Sequence, residues 1–210
     1  MESLLVVLLL LRSTPADAGT APAQVHTYES KDFTFALEVA RKPSFDGASL
    51  LCEPVSVTIR RKADGQELQK LALKDIQHDC AVEPKSLLVV EDMNFDGHAD
   101  FRVLNLLDAR LQSTFDSWVY DAKRGRFEKD ARFDELTSPT FDAKSRTITS
   151  SLRVGPVNHT RQEFRLLKDG KLDLVFEEEK AYHYQDESIS LTTRRKVRGK
   201  WVETTKKVED

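Results

Sequence analysis

Apolar and polar residues alternate along most of the chain. Phe33, Phe35, Leu37 and Val39 fall on one side of an extended segment, and Val55, Val57 and Ile59 do the same further on. A period of two places every second side chain on one face of a strand, so these segments predict half-buried β-strands. Stripes at the 3.6-residue spacing of a helix are scarce. The breaks between alternating runs carry glycine, at Ala63-Asp64-Gly65, Lys123-Arg124-Gly125, Lys168-Asp169-Gly170 and Val197-Arg198-Gly199. Glycine accepts the left-handed backbone of tight turns, so each predicts a hairpin tip. The flanking runs are VSVTIRR with ELQKLAL, SWVYD with RFEKD, EFRLLK with KLDLVFE, and SLTTRRK with KWVETTKK. The pattern predicts an all-β fold of antiparallel hairpins in a small propeller-like or sandwich-like arrangement. The hairpin from Ser188 to Val208, rich in Lys, Arg and Thr, is expected at an exposed edge where its charges oppose edge-to-edge association.

Composition narrows the class. With 40% hydrophobic and 32% charged residues in 210, the chain fits a folded body rather than collagen, coiled coil or low-complexity disorder. Its 32 basic and 35 acidic residues leave a formal charge of -3, without the basic field that nucleic-acid binding requires. Leu4 to Leu11 form an apolar run too short to span a bilayer, followed by the small-x-small pattern Ala16-Asp17-Ala18. Residues 1–18 therefore read as a cleaved signal peptide, with a membrane-tethered amino terminus as the alternative. Residues 19–30 read as a flexible leader and 31–210 as a single all-β domain. The expected location is periplasmic or secreted, with no stable membrane insertion after cleavage. In an oxidising compartment Cys52 and Cys80 predict a disulfide, the alternative being two buried free thiols.

One segment carries recognisable chemistry. Asp92-Met93-Asn94-Phe95-Asp96-Gly97-His98-Ala99-Asp100 places oxygen-bearing side chains at positions 1, 3, 5 and 9, glycine at 6, and the His98 backbone carbonyl at 7. Asp92, Asn94, Asp96, His98 and Asp100 are thus candidate ligands of a hard dication, and Ca²⁺ suits an all-oxygen set better than Zn²⁺. A helix-flanked calcium hand would carry Glu at position 12, where this chain has Val103. The flanks Ser86 to Val90 and Phe101 to Leu104 read as strands, so the loop is expected between two of them, with Phe95 and Phe101 facing the core. The competing reading is an Asx-rich turn without metal.

Together, DMNFDGHADFRVL, WVYDAKRGRFEKD, ELTSPTFDAKSRTITSSLRVG and EFRLLKDGKLDLVFE resemble a group of exported bacterial calcium-binding, β-propeller-like proteins over about residues 85–180. That group includes the periplasmic immunity proteins that inhibit lysozyme-like effectors of type IV secretion systems. The resemblance implies a periplasmic, calcium-bound β protein that blocks a peptidoglycan hydrolase, with a secreted lysozyme-like protein as partner. The alternatives are an exported structural or envelope-stress protein and, less favoured, a hydrolase.

Enzymatic signatures are missing. The histidines at 26, 78, 98, 159 and 183 form no zinc-binding spacing, and neither a GxSxG elbow nor a phosphate-binding P-loop is present. No catalytic activity is expected. For partner contacts, Tyr120 and His159, the latter beside Gly155-Pro156-Val157-Asn158, are the candidates; a core role for Tyr120 and a solvated one for His159 are the alternatives.

Overall fold

The computed structural model describes residues 23–45, 47 and 49–208, so the predicted signal peptide lies outside the described residues. The architecture is all-β and antiparallel, with three sheets in which neighbouring strands are mostly neighbours in sequence. The first sheet runs β1 (Gln24–Glu29), β2 (Phe33–Pro43), β3 (Leu50–Arg61) and β4 (Glu67–Ala72), with the short β5 (His78–Asp79) also paired to β3. One helical turn, α1 (Pro84–Leu87), leads into the second sheet of β6 (Leu88–Glu91), β7 (Asp100–Leu107), β8 (Ser113–Asp121) and β9 (Arg126–Lys129). The third is a six-strand meander of β10 (Thr140–Asp142), β11 (Thr147–Val154), β12 (Asn158–Leu166), β13 (Leu172–His183), β14 (Ser188–Val197) and β15 (Lys200–Val208).

The sheets stack in a sandwich-like manner through two apolar clusters. The first joins Phe33, Phe35, Leu37 and Ile59 of the first sheet to Phe101, Val103, Trp118 and Phe127 of the second. Aromatic rings form its centre: Phe35 lies 5.2 Å from Phe101 and 5.6 Å from Phe127, and Phe101 stacks on Trp118 at 5.1 Å. Tilted and offset ring pairs of this kind add to the gain from burial itself. The second cluster, Met93, Phe95, Phe133, Leu136 and Ile148 with Phe164 packed against it, joins the other side of the second sheet to the third. The middle sheet is therefore covered on both faces, which is why the first half of β7, Asp100 to Leu104, is buried without alternation.

Predicted turns and pairings are matched closely. Gly65, Gly125, Gly170 and Gly199 all have positive φ at hairpin tips, and the β14–β15 hairpin is an edge pair whose last strand is exposed throughout Lys200–Lys207. Cys52 and Cys80 form a disulfide with Cα atoms 4.9 Å apart. It fastens the short β5 region to β3 and closes a loop worth about 3 kcal/mol in chain entropy.

Two expectations are corrected. The leader assigned to 19–30 holds a full strand, since Gln24–Glu29 pairs along β2 and Tyr28 packs against the first cluster while its hydroxyl donates to the Pro84 carbonyl. Burial of that hydroxyl pushes its pKa up to about 12. The strand expected from Ser86 begins at Leu88, because Pro84 fits the first turn of a helix and Ser86 donates its amide to the Glu83 carbonyl.

A side chain no pattern predicts ties the first two sheets edge to edge. Gln69 on β4 donates its amide to the Phe127 carbonyl at 3.0 Å and accepts the Phe127 N–H at 2.9 Å. Its primary amide thus pairs with β9 as a backbone peptide would, satisfying both groups.

Candidate metal centre

The loop at 92–99 connects β6 to β7, as expected from its strand-like flanks. Its residues alternate in environment. Met93 is fully buried and Phe95 is 7% exposed, both within the second cluster. Asp92 and Asn94 are half-buried, and Asp96 is exposed. The apolar side chains at even positions hold the loop down, and the oxygen-bearing ones at odd positions are left to gather on its outer side. Phe95 takes φ of 60°, a left-handed backbone that a bulky residue seldom adopts, and Gly97 follows at 90°. Burial of the Phe95 ring offsets that strain, while Gly97 reaches its conformation without a Cβ penalty.

These bends turn a series of backbone amides toward the acidic side chains. Asp96 N–H lies 3.1 Å from Asp92 Oδ1 and 3.0 Å from Asn94 Oδ1, so one donor brings both oxygens together. Gly97 N–H donates to Asp92 Oδ2 at 2.9 Å, and His98 N–H donates to Asp96 Oδ1 at 2.9 Å. The Asn94 amide donates to Asp96 Oδ2 at 3.0 Å. Each of these oxygens accepts a single hydrogen bond and retains a lone pair, since a carboxylate offers about four acceptor sites. Asp92, Asn94 and Asp96 thus form a gathered set of hard oxygen donors.

Asp100 is placed differently. It is fully buried, and its carboxylate is turned inward to accept Met93 N–H at 2.9 Å and Asn94 N–H at 3.3 Å on Oδ2, and Tyr120 N–H at 2.9 Å on Oδ1. It fastens the start of the loop to β8. Burial raises its pKa to about 7, against the pull of the amides from Tyr120, Met93 and Asn94, and the charge of Asp96 adds to the rise. Among the described residues, no three Asp, Glu, His or Cys side chains converge on one point. The outer trio consists of two carboxylates and an amide, a set that fits an oxygen-seeking dication such as Ca²⁺ and offers nothing to a thiophilic metal. The half-buried His98 places its ring edge-on to Tyr120 at 5.5 Å, so its part in the loop is through the backbone.

Behind the loop sits an ion pair that sequence reasoning missed. Glu91 closes β6, Arg102 lies two residues into β7, and Glu91 Oε1 is 2.6 Å from Arg102 Nε. Both atoms are shut off from water, so the ion pair meets in a dry setting. The guanidinium also donates to the Pro139 carbonyl at 3.2 Å and lies over Phe115 at 4.1 Å and Phe141 at 5.4 Å. Burial pushes the Glu91 pKa up and the Arg102 pKa down, each opposed by the other's charge. The readable signal was an acid and a base bracketing the loop, but nothing in the pattern placed them between sheets.

The two partner candidates lie in different places. Tyr120 on β8 is half-buried against Phe33 at 5.0 Å and Phe127 at 5.1 Å, and lines a cavity of about 510 Å³ with Lys31, Lys62 and His98. His159 on β12 is half-buried in strand register with Arg153 and Lys180, and lines another cavity of about 340 Å³ with Arg110, Leu111 and Arg161. The structure does not bring the pair onto one surface cavity. No protein-family model, curated protein or solved structure matches this chain.

Proposed function

We propose that the protein is an exported, calcium-stabilised β module that acts by contact with another protein, as an inhibitor or immunity protein blocking a lysozyme-like peptidoglycan hydrolase. The observation that carries the calcium part is the gathered oxygen set of Asp92, Asn94 and Asp96, each with lone pairs to spare, on a loop anchored by buried Met93 and Phe95. Asp92, Asn94 and Asp96 would hold the ion through side chains and His98 through its carbonyl, while Asp100 secures the loop from beneath. The ion supplies charge neutralisation and rigidity, and no chemical step. Support for the inhibitory part is the ordered resemblance over residues 85–180, which here corresponds to the loop, the second sheet and the third sheet through most of β13.

Thermal melting of the full chain in calcium and in chelator tests the first part. A site filled to about a hundred times its dissociation constant raises Tm by roughly 5–10 °C in a chain of this size. Asp96→Ala should melt at one temperature in both buffers, and a calcium-independent Tm for the unmodified protein refutes the metal. The second part is tested by titrating the protein into a muramidase cell-wall-clearing assay. Stoichiometric loss of clearing supports inhibition; undiminished clearing across a panel of lysozyme-like enzymes favours the exported structural reading.

A further inference from the structure

A second polar feature adjoins the loop. A cavity of about 300 Å³ is lined by Asn94 and Asp96 from the loop, Arg146 from the β10–β11 tip, Lys168 and Gly170 from the β12–β13 tip, and Arg132 from the chain after β9. Arg132 is already committed, since its Nε donates to Asp130 at 2.7 Å and its Nη1 to the Gly170 carbonyl. Arg146 and Lys168 are exposed, and among the described residues neither has a carboxylate partner. Arg146 is nonetheless positioned: its guanidinium lies over the Phe95 ring at 5.8 Å, so the residue that anchors the acidic loop also places the cation.

Arg146 and Lys168 share one small concavity whose only carboxylate, Asp96, is engaged by the Asn94 amide and the His98 N–H, so an anion held by the two cations relieves their mutual repulsion. We propose that this cavity binds a small oxyanion, a phosphate monoester above all, through Arg146 and Lys168. A monoester carries nearly two negative charges and three strong acceptor oxygens, against one charge and two oxygens for a carboxylate, and so matches two cations better. Asp96 shares the cavity wall, and without metal its charge opposes an anion. Calcium, matched in charge by Asp92 and Asp96, removes that opposition, so the two ligands favour each other's binding reciprocally. Only this coupling rests on the calcium reading; the anion site rests on Arg146 and Lys168.

Calorimetric titration of glycerol 3-phosphate into the full chain, in calcium and in chelator, tests the proposal, beside a titration of calcium alone. The expected result is binding about tenfold tighter in calcium, and at least about tenfold weaker binding by the double variant Arg146→Gln/Lys168→Gln, which still folds and takes up calcium at least as tightly. Acetate should bind more weakly than the phosphate ester, and inorganic phosphate in the same cell shows whether the ester group contributes. Absence of phosphate binding in calcium, or equal binding by the double variant, overturns the site and leaves the calcium reading intact. Phosphate binding that needs Arg146 and Lys168 in a chain that takes up no calcium supports the site and removes the metal from both proposals.

Discussion

β7 and β15 are strands of similar length in antiparallel meanders, yet their surroundings are opposite. β7 is buried on both faces over its first half, with Phe101 and Val103 in one cluster and Asp100 and Arg102 turned to the other layer. β15 is exposed along nearly its whole length, and contacts to its neighbour run through Arg194 with Glu203 at 2.6 Å and Thr192 with Thr205 at 3.0 Å. Ladder hydrogen bonds exist in both, so they do not separate the two. What separates them is apolar area removed from water, and β7 should be among the last segments to open while β15 is among the first.

The comparison can be broken most severely at Phe101. Replacing this fully buried ring by alanine should cost about 3–5 kcal/mol, read as a lower urea midpoint at unchanged slope. Arg102→Met comes next, because it leaves the half-buried Glu91 carboxylate, whose Oε1 is shut off from water, without its partner. A loss of about 3 kcal/mol is expected, and Glu91→Gln/Arg102→Met together should recover most of it. Arg194→Gln on β14 removes contacts to both the half-buried Glu177 at 3.0 Å and the exposed Glu203, yet Arg194 itself reaches solvent and the cost should stay below about 1 kcal/mol. Faster amide exchange confined to β14 and β15 would sharpen the contrast; a loss as large as that at Phe101 would break it.

The smallest effect is a difference in pH response. Burial holds the His78 pKa below its usual value, with Nε2 lacking a hydrogen-bond partner. The folded protein thus binds this proton less readily than the unfolded chain, and stability is retained above about pH 6.5 and falls as the pH drops below it. His78→Gln should flatten that part of the melting profile. At the β13–β14 turn, Lys207 of β15 and Ser188 hold the Asp186 pKa at about 2, well below the ordinary carboxylate value. That contribution is present above about pH 4 and is lost only as the pH falls toward 2. Mild acid should therefore weaken the β5 site around His78 before it reaches Asp186, while Asp100, whose pKa is raised by burial, takes up a proton over the same range and works in the opposite direction.

Much of this organisation was legible. Alternation and turn glycines located the hairpins, because a strand with one wet face must write its pattern into the sequence. β7 was only partly legible, since a segment dry on both faces has no alternation to display. β1 was obscured by its setting beside Ala-, Pro- and Thr-rich residues, and its pairing depends on β2 rather than on its own apolar content. At the loop, donor spacing was readable from types and intervals. The inward turn of Asp100 was not, because it depends on the Tyr120 amide twenty residues away. The cations facing the cavity escaped for a similar reason, as Arg146 and Lys168 meet through the pairing of β11 with β12, and Arg132 joins them only through the stacking of the second and third sheets.

The split anchorage of the loop also limits how the chain can change in length. Met93 and Phe95 sit in one cluster and Phe101 in the other, so the run between them works as a rivet through neighbouring layers. One inserted residue there would swing the later side chains to the opposite side and withdraw an aromatic from its seat. Insertions should be tolerated at the tips near Gly65 or Gly199, and residue count should be held fixed from 92 to 101.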